Sequence, residues 1–144
     1  MRILIYCDID GVLHPWPCPS AQMFDISCFM RLVSAIAPYD AGIVVTSTWR
    51  IEWSLNQIRK RIGPLGDYVV GVTPEIDDPF IKHGRYHEVL RHREQYALSE
   101  SDWVAIDDEP GRYPNDLENL ILTNPRVGFS EDDAALLTRL LSQL

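Results

Sequence analysis

The sequence predicts an α/β fold: a mainly parallel sheet of about five strands with helices on both faces. Short apolar runs alternate along the chain with segments whose apolar residues recur at helical spacing. Parallel strands need such crossovers, and the crossover helices then cover the sheet. The 144 residues, 46% apolar and 24% charged, fit one ordinary domain, so residues 1–144 are read as a single unit.

Each element has its own signature. Ile3 to Cys7 reads as the first strand. A loop rich in proline (Pro15, Pro17, Pro19) follows. Phe29, Met30, Val33 and Ala37 then recur at helical spacing, and Pro38 stops that helix. Ile43 to Thr46 is the second strand. Ile51, Leu55, Ile58 and Ile62 mark one face of a second helix, ended by Gly63-Pro64. Tyr68 to Val72 is a short third strand. A helix over about 85–96 aligns Val89, Leu90 and Arg93. Trp103 to Ile106 is the fourth strand and Leu120 to Leu122 the fifth. Ser130 and Asp133 cap a last helix whose apolar face is Leu136, Leu137, Leu140 and Leu144.

Composition excludes several classes. No apolar run reaches the about 20 residues that span a membrane. The start "MRILIYCDID" meets charge too early for a secretion leader, so the default expectation is a cytoplasmic protein. Cys7, Cys18 and Cys28 form no CxxC pair and read as reduced thiols, with Cys7 packed in the first strand. A net charge of -8 argues against broad, sequence-blind nucleic-acid binding, which needs basic surface.

The chemistry gathers where parallel sheets bind ligands, beyond the carboxyl ends of the strands. The first strand ends in "CDIDG", the second in "VVTSTWR" and the fourth in "VAIDDEP". These ends supply Asp8, Asp10, Thr46, Ser47, Asp107 and Asp108. "IKHGR" before the third helix adds Lys82 and Arg85. Aspartates ending an apolar strand repel each other and are costly to bury unless compensated. A hard cation such as Mg²⁺ takes oxygen ligands and would neutralise much of that repulsion. A hydroxyl and a basic side chain across the same mouth suit a phosphate. Gly11 lets the chain turn sharply after the acidic pair. Taken singly, each motif has a bland reading: solvated turn, helix cap, surface charge. Their conjunction in this order does not.

These residues resemble the haloacid dehalogenase-like (HAD) superfamily of phosphohydrolases. The matching stretches are "DIDGV", then Thr46 or Ser47, then Lys82 or Arg85, then "DD". More narrowly, "DIDGVLHP", "STWR", "GRYHEVL", "WVAIDDE" and "LTNPRVGFS" are similar to the small HAD domains of multi-domain, Swiss-army-knife RNA-repair proteins. The resemblance implies a three-layer Rossmann-like fold and a Mg²⁺-dependent phosphatase. By it, Asp8 would attack phosphorus and form an aspartyl phosphate. Asp10 would protonate the leaving oxygen and then activate water. Ser47 would hold a phosphoryl oxygen, in preference to Thr46. Arg85 would stabilise the phosphate, although the superfamily more often uses lysine and Lys82 is a rival. Thr46, Thr48, Arg50 and Lys82 form the wider substrate-binding set. Asp8, Asp10 (through its carbonyl), Asp107 and Asp108 would hold or support the metal. An acid at position 10 favours phosphoryl transfer over dehalogenation.

Superfamily members often insert a cap domain between these motifs. Residues 11–46 and 48–84 leave no room for one, since a domain needs about 50 residues. An open site suits large substrates such as a phosphorylated polynucleotide end. Small nucleotide or sugar phosphates, with "HPWPCPS" as a partial lid, are the alternative, and a non-catalytic Mg²⁺- and phosphate-binding module is a third reading. "KHGRYHEVLRHRE" carries Lys82, Arg85, Arg91 and Arg93, which make either a track for further phosphates or a solvated helix face. Trp49 is either a base-stacking platform or a packing residue. His14 either touches substrate or is a plain loop histidine.

Overall fold

A computed structural model of the chain describes residues 2–98 and 101–144. Five strands form one parallel sheet: β1 (Ile3–Cys7), β2 (Ala41–Val45), β3 (Val69–Val72), β4 (Trp103–Asp107) and β5 (Leu120–Leu122). Their order is β3-β2-β1-β4-β5. The chain therefore winds outward from β1 to one edge, then returns to the other side of β1. The switch point lies between β1 and β4, and the crevice at its carboxyl end is where such sheets bind ligands.

Alternation along β1 builds the layers. Ile3, Ile5 and Cys7 point into one core with α1 (Ile26–Ile36), α3 (Leu55–Arg61) and α5 (Glu131–Ser142). Leu4 and Tyr6 point into a second core with Val44, Ala105, Tyr113 and Val89 of α4 (Gly84–Gln95). A strand buried on both faces reads as a continuous apolar run, which is why β1 is so legible. The result is a three-layer, Rossmann-like α/β fold. Among the described residues, the stretches between Asp10 and Ser47 and between Ser47 and Arg85 hold only elements of these layers and short turns, with no cap domain. No helix among the described residues is long and apolar enough to cross a membrane.

Four helical segments differ from the sequence expectation. The helix expected across Ile51–Ile62 is two: α2 (Trp49–Glu52) and α3. Ser54 restarts the helix, its hydroxyl accepting from the Gln57 amide while the Gln57 side chain accepts from the Ser54 amide. Ile51 is left exposed. In α1 the buried face is Cys28, Phe29, Leu32, Ala35 and Ile36, and Met30 faces solvent. In α5 the Ser130–Asp133 capping box is present, but Leu137 and Leu141 are the buried pair and Leu144 is exposed. Leu90 of α4 is also exposed, because the sheet covers only Val89 and its neighbours one turn apart.

Candidate active site

The parallel register sets Cys7 of β1 beside Ile106 of β4, so Asp8 and Asp107 emerge side by side at the switch point. The Asp8 amide donates to the Ile106 carbonyl at 3.0 Å, which carries the ladder one residue further. Asp8 and Asp107 are almost fully buried. Their carboxylates are shared between two arginines. Arg85 Nη1 lies 3.1 Å from Asp8 Oδ1 and 3.0 Å from Asp107 Oδ2. Arg112 Nη1 lies 3.0 Å from Asp8 Oδ2, 2.9 Å from Asp107 Oδ1 and 3.5 Å from Asp108 Oδ1.

These charges act on one another. Burial, joined by the Asp107 charge, raises Asp8 above the usual carboxylate range, against the pull of Arg85 and Arg112. Burial first, then the Asp8 and Asp107 charges, push Asp108 up to about 7. Burial alone would lower Arg85, but Asp8 and Asp107 more than reverse it and hold the guanidinium firmly charged.

Oxygens of Asp8, Asp107 and Asp108 lie within 4.8 Å of one another. An all-oxygen, anionic set of this size fits a hard divalent cation. Asp108 supplies a further observation: its Oδ1 is buried without a hydrogen-bond partner. Gly11 sits against it at φ +77°, and a Cβ there would come within 2.4 Å of Asp108 Oδ2. The turn after the acidic pair therefore requires glycine on two counts.

Asp10 is held differently. Its Oδ1 accepts from His14 Nε2 at 2.8 Å and from Trp49 Nε1 at 3.0 Å. His14 is fully buried, and its Nδ1 accepts from the Phe24 amide. That backbone donor fixes the tautomer with the proton on Nε2. Burial raises Asp10, but the bonds from His14 and Trp49 outweigh it and bring the carboxyl below its ordinary value. The Trp49 ring is packed on Trp53, with centroids 4.0 Å apart, so it is not a free stacking platform.

Asp8, Asp10, Thr48, Arg85 and Asp108 line one cleft of about 250 Å³, together with Trp16, Glu109 and Arg112. Thr46 and Ser47 are buried and are not among its lining residues. Ser47 Oγ accepts from the Trp49 amide, whereas Thr46 Oγ1 has no partner. Lys82 is exposed and outside the cleft, so of the two basic candidates Arg85 is the one beside the carboxylates. Arg50 corrects the expectation of a substrate ligand. Its five donors go to the carbonyls of Thr73, Thr46, Ser47 and Pro74 and to Glu88, which leaves none for a substrate. The basic segment is likewise broken up: Arg85 and Arg93 point inward, Arg93 onto Ser101 and the Leu98 carbonyl.

Sequence reasoning did not single out Arg112, and it did not see that His14 and Trp49 meet Asp10. His14 and Trp49 were visible as polar and aromatic residues near the motifs. Arg112 carried no signal beyond lying four residues after Asp108.

No curated protein and no solved structure matches the chain. Residues 4–134 do match a family model, and the chain belongs to that family, described as the HAD domain in Swiss Army Knife RNA repair proteins.

Proposed function

We propose that this phosphatase-type hydrolase removes terminal phosphates from polynucleotide ends through an aspartyl phosphate on Asp8, with Mg²⁺ held by Asp8, Asp107 and the Asp10 carbonyl and supported by Asp108. The observation that carries the reading is the pairing of Asp8 with Asp107 and Arg85 at the switch point, with Asp10 opposite in the same cleft. The metal would orient the phosphate and offset its developing charge.

The residues divide the work. An Asp8 oxygen attacks phosphorus and the bond to the leaving oxygen breaks. Asp10 gives that oxygen its proton through Oδ2, since Oδ1 is taken by His14 and Trp49. Asp10 then takes a proton from water, which attacks phosphorus and frees Asp8. Arg85 balances charge on the transferring group, and a hydroxyl from Ser47 or Thr46 holds one of its oxygens.

The cleft supports a chain end over a small substrate. Pockets that enclose a whole ligand hold roughly 300–1,000 Å³. At about 250 Å³ and without a cap, this one takes a phosphate and leaves the remainder outside. The net charge of -8 and the inward-facing arginines favour contact at one terminus over a track along the strand. Trp16, exposed on the cleft rim, is the aromatic available to a terminal base.

The test is phosphate release with Mg²⁺ from 5′- and 3′-phosphorylated oligonucleotides, mononucleotides, sugar phosphates and a phosphopeptide. The expected result is release from an oligonucleotide that disappears in Asp8→Asn while the fold persists. Undiminished release by Asp8→Asn rejects the mechanism. Faster release from mononucleotides or sugar phosphates than from oligonucleotides replaces the substrate assignment.

A further inference from the structure

We infer that Arg112 is the resident counter-ion of the carboxylate cluster, and that a divalent cation binds there by exchange with its guanidinium. The inference rests on the cation reading of the site and adds a defined competitor to it.

The argument starts from where one nitrogen lies. Arg112 Nη1 is within 3.5 Å of Asp8, Asp107 and Asp108, the three carboxylates close enough together to ligate a single ion. Mg²⁺ binds carboxylate oxygen at about 2.0–2.1 Å. An ion on Asp8 Oδ2 and Asp107 Oδ1 would meet the Arg112 guanidinium at contact distance, positive against positive. One of the two cations has to leave.

Arg85 is not the one displaced. It bonds the opposite oxygens, Asp8 Oδ1 and Asp107 Oδ2, from within α4, and its side chain is only 8% exposed. Arg112 is 30% exposed and stands at the end of a three-residue turn, Pro110–Arg112. Gly111 beside it has nothing within 4 Å of its Cβ position, so the turn is loosely packed on that side. Outside the cluster its ion-pair partner is Glu109, at 3.3 Å on the surface. Arg112 also lines a neighbouring hollow of about 270 Å³, with the acidic residues Asp78 and Glu88 in its lining, which gives the released side chain a place to go.

Charge favours the exchange. Three carboxylates facing two guanidiniums keep one formal negative charge. Replacing one guanidinium by a divalent ion leaves none, with better-matched ligands for hard oxygen. The metal-free protein thus keeps its acidic pair paired, and metal binding costs the breaking of the Arg112 contacts.

The experiment is thermal unfolding of wild type, Arg112→Ala and Arg112→Met, in EDTA and in saturating MgCl₂ at matched ionic strength, with calorimetric Mg²⁺ titration of all three. Arg112→Met keeps the aliphatic stem and separates loss of charge from loss of packing. Both variants are expected to melt below wild type in EDTA and to converge on it in Mg²⁺. They should also bind Mg²⁺ about tenfold more tightly, ~1.4 kcal/mol. Binding of Mg²⁺ with a melting gap that persists undiminished overturns the exchange, since Arg112 would still be engaged beside the ion. Absence of Mg²⁺ binding to all three proteins overturns the cation reading itself and the exchange with it.

Discussion

His14 Nε2 donates to Asp10 Oδ1 across 2.8 Å, and the Phe24 amide on its other nitrogen keeps that ring in one tautomer. With Trp49 as second donor to the same oxygen, Asp10 is left with Oδ2 as its free atom. Trp49→Phe keeps the ring packing and removes one donor. A hydrogen bond to a charged group is worth about 1.5–3 kcal/mol, so turnover should fall by roughly tenfold or more. The Asp10 carboxyl, now less depressed, should keep its proton to higher pH and so move the alkaline limb of the kcat/KM profile, which the acid form sets, to higher pH. His14→Gln should shift it in the same direction. An unmoved limb in both variants would remove the positioning role.

Gly11→Ala should damage stability and metal binding together. The residue sits at φ +77° and its new Cβ would press on the Asp108 carboxylate. Strain of this kind costs about 1–3 kcal/mol. Denaturant unfolding reads the first effect and Mg²⁺ titration the second. Loss of stability with unchanged Mg²⁺ affinity would show that Asp108 is not needed by the ion.

Arg50→Lys should be severe for a substitution that keeps the charge. Lysine offers a point charge in place of a planar fork that reaches carbonyls at the ends of β2 and β3 as well as Glu88. Arg50→Ala would in addition take the counter-ion from Glu88, whose side chain is 11% exposed and would keep only the Ile76 amide as donor among the described residues. Breaking a buried pair in this way costs about 3–5 kcal/mol. Chemical unfolding of Arg50→Ala, Glu88→Gln and the double variant gives the coupling, and additive losses would mean that the pair is not a unit.

Without divalent cations, Asp108 should make the protein less stable as pH rises. Its folded value, raised to about 7, lies above the ordinary 3.8. The sign follows: the unfolded chain gives up this proton first, so the benefit of the protonated form is complete below about 4 and fades as pH climbs toward 7. The difference in unfolding midpoint between Asp108→Asn and wild type, measured in EDTA, should therefore grow in favour of the variant across that window. A flat difference would place the Asp108 carboxyl in the ordinary range.

Thiol chemistry should separate the cysteines. Burial and the Asp25 charge push Cys28 up to about 11, and burial with the Asp8 and Asp107 charges raises Cys7 well above its usual range. Cys18 lies half-buried in the proline-rich loop. At pH 8 a disulfide reagent should modify Cys18 quickly and the other two only on unfolding. Fast reaction of two thiols would contradict the packing around Cys28.

Local patterns made the strands and their acidic ends legible. Ile3–Cys7 is apolar throughout because both of its faces are covered, and Asp8 follows at once. The helix break at Ser54 was written in the sequence as a Ser–Gln capping pair, but the regular Ile51–Ile62 spacing masked it. Arg50 is deceptive in the sequence because Thr48, two residues before it, lines the cleft, while the partners that complete its pairing, Thr73, Pro74 and Glu88, come from elsewhere in the chain. Arg112 was invisible for a similar reason. Only the turn after Pro110 folds it back onto Asp8, 104 residues away.

The sheet order also has a consequence for how the chain can be divided. The amino-terminal half supplies β3, β2 and β1, and the remainder supplies β4 and β5 on the other side. The border between the halves is the β1–β4 ladder, and Asp8 and Asp107 meet at its end. Cutting the exposed segment between β3 and α4 would therefore leave two pieces that each carry half of the carboxylate site. Neither piece should complete it by itself, and their reassociation along that ladder, with α5 repacked in the core of α1 and α3, would. The fold thus has the layout of a split reporter, in which joining two fragments and building the site are the same event.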